Sequence, residues 1–275
     1  MERGLMGDGI GFWLEYLTNG KHLAWYASVQ YTLIAALIGG VCALLFGLGG
    51  AALKRSSIGP LRLIGSAYTN MVRGIPDVLF FLFFPLAFEQ LIELLASRSV
   101  CSAADLAANV GVWPPCPAAN WLLTQTEYLI LAGVSLGIVY GAFTANVISG
   151  ALNAVPRGQL EAGRAFGMSN GQVFWNIHVR QMWVYALPGL SNCWLLLIKS
   201  TSLLSLLQIV DLVRWADRLG APNFNRSAGL IHPDWRWAYY LALLAFFIVL
   251  TFISEKVFAA LTRWASKGMA VGAAT

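Results

Sequence analysis

An all-α, polytopic membrane protein with about five transmembrane helices is what this sequence predicts, on three observations. Hydrophobic residues make up 58% of the 275 and charged residues only 11%, a balance of the membrane class rather than of a soluble domain. Five apolar blocks are each long enough to cross a hydrocarbon layer about 30 Å thick as a helix. Eleven tryptophans and nine tyrosines suit the aromatic belts at the two membrane surfaces. The chain reads as one domain, 1–275, with no internal repeat beyond the general likeness of its spans.

Residues 1–20 are polar and mixed in charge, and the apolar block behind them is too long for the h-region of a cleaved signal peptide. That block holds the first span, 24–50, with Gly39, Gly40, Gly47, Gly49 and Gly50, small residues that let neighbouring helices approach closely. Lys54 and Arg55 open a basic turn that ends at Pro60, and 61–72 is a moderately apolar helix at the interface. Arg73-Gly74-Ile75-Pro76-Asp77 interrupts it, and the second span follows at 77–95. Residues 96–120, rich in small and polar residues with Pro114, Pro115 and Pro117, form an external insert. The third span is 125–150, a polar loop covers 153–181, and the fourth span is 183–208. A polar stretch at 211–234 precedes the fifth span, 236–260, and a basic tail from Arg263.

Five spans put the two ends on opposite sides, and the distribution of Lys and Arg decides which is inside. Nine fall on the side of the 153–181 loop: Lys54, Arg55, Arg62, Arg157, Arg164, Arg180, Lys256, Arg263 and Lys267. Six fall on the other: Arg3, Lys21, Arg98, Arg214, Arg218 and Arg226, several with an acidic neighbour. The chain is therefore expected to start outside and end in the cytoplasm.

The net charge of +5 is scattered between the spans, which speaks for topology and against a nucleic-acid partner. The sequence has no G-x-x-x-x-G-K-[ST], so it carries no phosphate-cradling loop of its own. His22, His178 and His232 are far apart and lack metal-ligand spacing, so no metal site is expected; nor can a Ser-His-Asp or paired-carboxylate arrangement be argued. Cys42 and Cys193 lie within spans and read as small buried hydrophobes. Cys101 and Cys116 share the external insert. In an oxidising compartment they could bridge, constraining the insert by roughly 3 kcal/mol; two free thiols is the alternative.

The chain is organised around 155–182, the one long polar, basic stretch between two membrane-length blocks. Pro156 suits the first turn of a short helix, which continues through Phe166. Gly167 then provides a C-terminal stop. Ser169 and Gln172 fit a capping box, with Met168 and Val173 placed as its hydrophobic staple. Glu161-Ala162-Gly163, followed by Gly167 and by Ile177 and Val179, resembles the EAA loop of bacterial ABC-importer permeases. Two positions depart from that pattern: the third residue of the triplet is Gly163, and Arg180 stands where proline is usual. The resemblance implies a type I importer core whose loop docks into a groove of an ATP-binding subunit. Glu161, Ala162, Gly163, Arg164 and Gly167 would then be the coupling residues, with Ala162, Gly163 and Ala165 keeping the docking face small.

Ionisable residues inside spans are costly and are functional candidates by default. Arg73 and Asp77 flank a Gly–Pro break that frees backbone carbonyls. Arg73-Gly74-x-Pro76 is similar to the start of the second core span in polar amino-acid permeases. Leu187-Pro188-Gly189 before Asn192, followed by Lys199-Ser200-Thr201-Ser202-Leu203, is similar to the histidine/arginine/opine branch of that family. Arg73, Asp77, Tyr140, Asn146, Asn192, Lys199, Thr201 and Ser202 are therefore candidates for a substrate path. Plain structural roles compete for each: snorkelling to an interface for Arg73 and Lys199, an Asp77–Lys199 pair, and helix-to-helix hydrogen bonds for the rest.

The resemblance implies a bacterial inner-membrane permease subunit that is not itself an enzyme. It would move polar amino acids, basic ones first, or opines. ATP and Mg would be held by a partner ATPase dimer and no cofactor by this chain. A second permease subunit, identical or homologous, a periplasmic solute-binding protein and membrane lipid complete the expected partners. An ion-coupled secondary carrier is the alternative; it would normally show more spans and has no need of a docking helix.

Overall fold

The computed structural model describes residues 10–109, 111–120, 123–207, 209–225 and 231–267. Arg3, Arg226 and the tail beyond Lys267 lie outside the described residues. Among the described residues five helices are long and apolar enough to cross a membrane: Gly20–Lys54, Asp77–Val100, Gln125–Ala154, Asn170–Leu207 and Arg236–Ala265. In chain order the α-helices are α1 (Ile10–Leu17), α2 (Gly20–Ala27), α3 (Val29–Lys54), α4 (Gly59–Gly74), α5 (Asp77–Val100), α6 (Ala103–Ala108), α7 (Gln125–Ala154), α8 (Arg157–Ala165), α9 (Asn170–Val173), α10 (Arg180–Ser200), α11 (Leu212–Gly220) and α12 (Arg236–Ala265).

The centre of the molecule is α7, the most deeply buried span. It starts on a capping box, Thr124 with Glu127. It packs along α3 at a distance only glycine allows. A Cβ on Gly137 would lie 2.2 Å from Cys42 Cβ, and one on Gly47 would lie 2.3 Å from Thr144 Cγ2. In lipid, where hydrophobic burial does not drive helices together, such close packing is the main source of association. Helix α4 crosses both, its Tyr68 hydroxyl donating to the Ile138 carbonyl at 2.7 Å. Lys54 Nζ donates to Asn146 Oδ1 and Arg55 Nη1 to Asn153 Oδ1, each at 2.6 Å. The basic turn after α3 is thus fastened to the last turns of α7.

The structure adds order where the sequence showed only polarity. Residues 10–27 form α1 and α2, and the span continuing from α2 starts at Gly20, where Asn19 caps it. Helix α11 falls inside the 211–234 stretch, with Asp211 accepting from Arg214 N at 2.9 Å as its cap. Its apolar face packs with Trp25, Tyr239 and Leu243, and the Trp25 indole donates to the Leu212 carbonyl at 3.0 Å. Helix α5 runs to Val100 and α12 to Ala265, both five residues beyond the expected ends, because nothing helix-breaking stands at Leu95 or Ala260.

The 96–120 insert is a folded unit. Cys101 and Cys116 are joined in a disulfide with Cα atoms 5.9 Å apart. Ser102 caps α6. The Trp113 indole donates to Glu93 Oε2 at 2.6 Å, and the Tyr128 hydroxyl to Glu89 Oε2 at 2.8 Å. These bonds hold the insert against the end of α5.

Candidate functional site

Two groups of candidate residues are set by neighbouring parts of the chain. The first is the 153–181 loop. Pro156 occupies the cap position of α8, one place before its first helical residue. Gly167 has φ 81°, the left-handed region that favours glycine. The Met168 amide closes the turn on the Gly163 carbonyl at 3.1 Å. Ser169 and Gln172 make both bonds of the capping box, 2.8 and 3.3 Å.

From Asn170 the helix does not stop. It passes through a π-helical turn, Phe174–Val179, and continues as α10 and a 3-10 segment, Thr201–Leu207. The second helix of the loop, expected as a separate stub, is therefore the first part of the fourth span. The reason lies in the residues: no glycine or proline occurs between Gln172 and Trp183, and Arg180 supplies the N–H that a proline would lack. A π turn inside a long helix is frequent at functional sites.

Three contacts lock the elbow to the body. His178 Nε2 donates to the Leu152 carbonyl at 2.8 Å. The side-chain amides of Gln181 and Gln159 pair. Gly163 is buried, and a Cβ there would lie 2.5 Å from Ile177 Cδ1 and 3.3 Å from Val173 Cγ2. Gly163 thus belongs to the inner seam between α8 and the following helix, not to the docking face where the triplet reading put it. Glu161, Ala162, Arg164 and Gly167 are exposed. Beside them the structure shows Phe166, 89% exposed, with Phe174 and Trp175 also exposed. The sequence reading passed over these aromatics; large apolar residues at the tip of an otherwise polar loop were their signal.

The second group lies near the middle of α7. Tyr140, 3% exposed, donates its hydroxyl to Asp77 Oδ2 at 2.9 Å and shares a 2.5 Å bond with Ser200 Oγ. Asp77 occupies the first turn of α5 because Pro76 restarts the helix there. Ser200 occupies the junction where α10 tightens into the 3-10 segment. Arg73, one turn before the break, stacks over the Phe143 ring at 5.2 Å. Two helix discontinuities therefore meet one tyrosine at mid-span.

Other candidates are placed elsewhere. Asn146 accepts from Lys54. Thr201 is buried and bonds the Ile198 carbonyl at 2.6 Å, and Ser202 bonds the Lys199 carbonyl at 2.8 Å. Asn192 and Lys199 are exposed on α10, and no ion pair joins Lys199 to Asp77 among the described residues. Tyr140 also touches a cavity of about 340 Å³, but apart from Thr144 its other walls, Leu37, Leu44, Leu187 and Trp194 among them, are almost wholly apolar. Such a lining does not suit a zwitterionic ligand.

Residues 35–267 match the family model described as "Binding-protein-dependent transport system inner membrane component". The octopine transport system permease protein OccQ of Rhizobium radiobacter is 31% identical over 227 residues, covering 82% of this chain and 84% of that protein. The histidine/lysine/arginine/ornithine transport system permease protein HisQ of Escherichia coli K12 is 32% identical over 240 residues, 86% and 91% respectively. The arginine ABC transporter permease protein ArtQ of the same strain is 31% identical over 222 residues, 79% and 86%. Among solved structures, an amino acid ABC transporter with histidines aligns at TM-score 0.62 and 22% identity, over 94% of this chain and 99% of that one. The inward-facing MetNI methionine ABC transporter aligns at 0.55 and 15% over the same shares.

Proposed function

This chain belongs to the family of binding-protein-dependent transport system inner membrane components, and from that premise we propose that it is the permease subunit of an importer for basic amino acids or opines. The family implies an ATP-binding subunit, a second permease and a solute-binding protein as partners, and a location in the inner membrane. The relatives named for octopine, arginine and histidine/lysine/arginine/ornithine transport support the substrate class.

The observation that carries the reading is the elbow of 153–181. A short helix with an exposed acid, Glu161, is bent back at a turn through Gly167, and the helix that follows the turn runs into the fourth span without a break. When the ATPase subunits close on ATP, displacement of α8 passes directly into the rod Asn170–Leu207. A gap or flexible linker there would absorb the push; a continuous helix transmits it. At the rod's far end Ser200 meets Tyr140 and, through it, Asp77. The motion therefore arrives at a mid-span carboxylate, suited to the cationic side chain of a basic amino acid. Glu161 forms a charge-assisted bond with a basic residue of the ATPase groove. The subunit starts outside and ends in the cytoplasm, as the Lys and Arg distribution favours, and a second copy or a homologue completes the path.

Co-purification tests this reading. The subunit should bring down a soluble ATPase, and ATP hydrolysis should rise when liganded binding protein is added. Uptake driven by an ion gradient with no ATPase present would replace it with the secondary-carrier alternative.

A further inference from the structure

Helix α5 carries Asp77 in its first turn and runs into the 96–120 insert at its other end. It is 24 residues long, about 36 Å as a helix. It shares little surface with the rest of the chain: 17% of its most apolar stretch is buried, against 72% for α7. Helix packing alone therefore does little to fix its height and rotation. Two hydrogen bonds at the insert end supply that constraint. Glu89 and Glu93, four residues apart and so on one face, accept from the Tyr128 hydroxyl at 2.8 Å and the Trp113 indole at 2.6 Å. Tyr128 stands in the first turn of α7. Trp113 stands in the loop closed by the Cys101–Cys116 disulfide, and Cys101 is the residue that ends α5. Across that loop Asn109 Nδ2 donates to the Pro115 carbonyl at 3.0 Å, and the 3-10 turn Pro117–Ala119 packs against α5. The insert is built to hold the indole still.

One weak point lies between the two ends of α5. Pro85 sits inside the helix, where it has no N–H to give the Phe81 carbonyl and its ring crowds that carbonyl. Phe80, Phe84 and Phe88 line up across the gap, stacked at 5.8 and 6.3 Å with ring planes 14° and 27° apart. Their spacing puts them on the side of the helix that Asp77 also occupies. Attraction between the rings stiffens the helix where its own hydrogen bond is missing, so a shift at Glu93 is carried to Asp77.

We propose that Trp113 and Glu93 are positioning residues for transport: the insert braces α5 so that Asp77 stays seated on Tyr140. The proposal rests on the reading of Asp77 as the carboxylate that meets a cationic side chain. Neither Trp113 nor Glu93 touches the substrate; both act through α5. Glu93 is only 5% exposed, and burying a carboxyl is costly. A leucine there would cover the end of the helix without that cost, so the acid is explained by the bond it accepts.

Hydrogen–deuterium exchange of the full-length chain in lipid nanodiscs, paired with uptake by the reconstituted complex, tests this. Trp113→Phe keeps a ring and removes the donor. Exchange at amides 79–84, at the opposite end of α5, should quicken about fivefold, the weight of one hydrogen bond. With liganded binding protein in excess, the ratio of basic to neutral amino-acid uptake should fall about fivefold. Glu93→Gln keeps an acceptor for the indole and should read as the wild type. Glu93→Leu should reproduce Trp113→Phe, and the two together should be no worse than either alone. Should Trp113→Phe fail to insert, Tyr128→Phe cuts the second tie without touching the insert and gives the same two readings. Exchange that quickens only within 96–120 would overturn the proposal. So would an equal fall in both uptakes while Asp77→Asn remains selective in the same assay. The exchange reading needs neither substrate nor ATPase, so it decides the brace even where Asp77→Asn faults the site.

Discussion

Tyr140 and Asp77, 63 positions apart in the chain, share a hydrogen bond of 2.9 Å in which the tyrosine donates. It ties the restart of α5 to the middle of α7. Asp77→Asn keeps the shape and removes the acid. Uptake of a basic amino acid into proteoliposomes should fall about tenfold or more, and uptake of a neutral polar one much less. An equal fall for both would mark Asp77 as a packing residue.

Glu161→Lys reverses the charge at the exposed tip of α8, and Gly167→Asp places a side chain where φ is 81°, at a cost of about 1 kcal/mol. Both variants should insert into the membrane. Both should hydrolyse ATP in the assembled complex with little transport per ATP consumed. Normal uptake from either would end the docking assignment.

Gly163 offers a graded test of the inner seam. Alanine there meets the terminal methyl of Ile177 most closely, then Val173 Cγ2 and Met168 Sδ, all side-chain ends that can move, so Gly163→Ala should keep most of the uptake. Gly163→Val adds two methyl groups to the same space and should cost about 1–3 kcal/mol of local packing. Transport should drop in the valine variant and recover when Ile177→Ala is added; no recovery would place the defect elsewhere.

The disulfide of the insert closes a loop with a separation of 15 residues. Removing it as Cys101→Ser with Cys116→Ser should lower stability by about 3 kcal/mol. Thermal unfolding in detergent reads this directly, and an unchanged midpoint in the double variant would show that the Trp113–Glu93 bond holds the insert by itself.

Asp211 is fully buried, and the loss of water around it pushes its carboxyl up to about 6 although the Arg214 amide donates to it. Unfolded, the same group ionises near pH 3.8. Between those values unfolding releases a proton, so stability falls as pH rises from about 4 to about 6 and is level above. Asn also caps helices well, so Asp211→Asn should retain α11 and flatten that slope. A slope unchanged by the substitution would assign the titration to another group.

The parts legible in the sequence were those set by local chemistry. The Gly167 elbow and the Ser169–Gln172 box depend on residues a few places apart, and both could be read from the string. The five spans follow from length and composition. Contacts made across the chain were not legible. Helix α11 is short and of mixed composition until Trp25, 187 positions away, bonds its first carbonyl. The meeting of Asp77, Tyr140 and Ser200 requires three separate helices to be in register. Gly163 looked like a harmless departure from a triplet, because Ile177, which explains it, belongs to the next helix.

The interlocked glycines of α3 and α7 have a mechanical corollary. With Cys42 seated on Gly137 and Thr144 on Gly47, neither helix can slide or roll past the other without a collision of atoms. The two are a single plank. Any swing that opens a passage must pivot around that plank, with the Ile75–Pro76 interruption as the break in the chain beside it, and bulk added there should freeze the swing while leaving the plank intact.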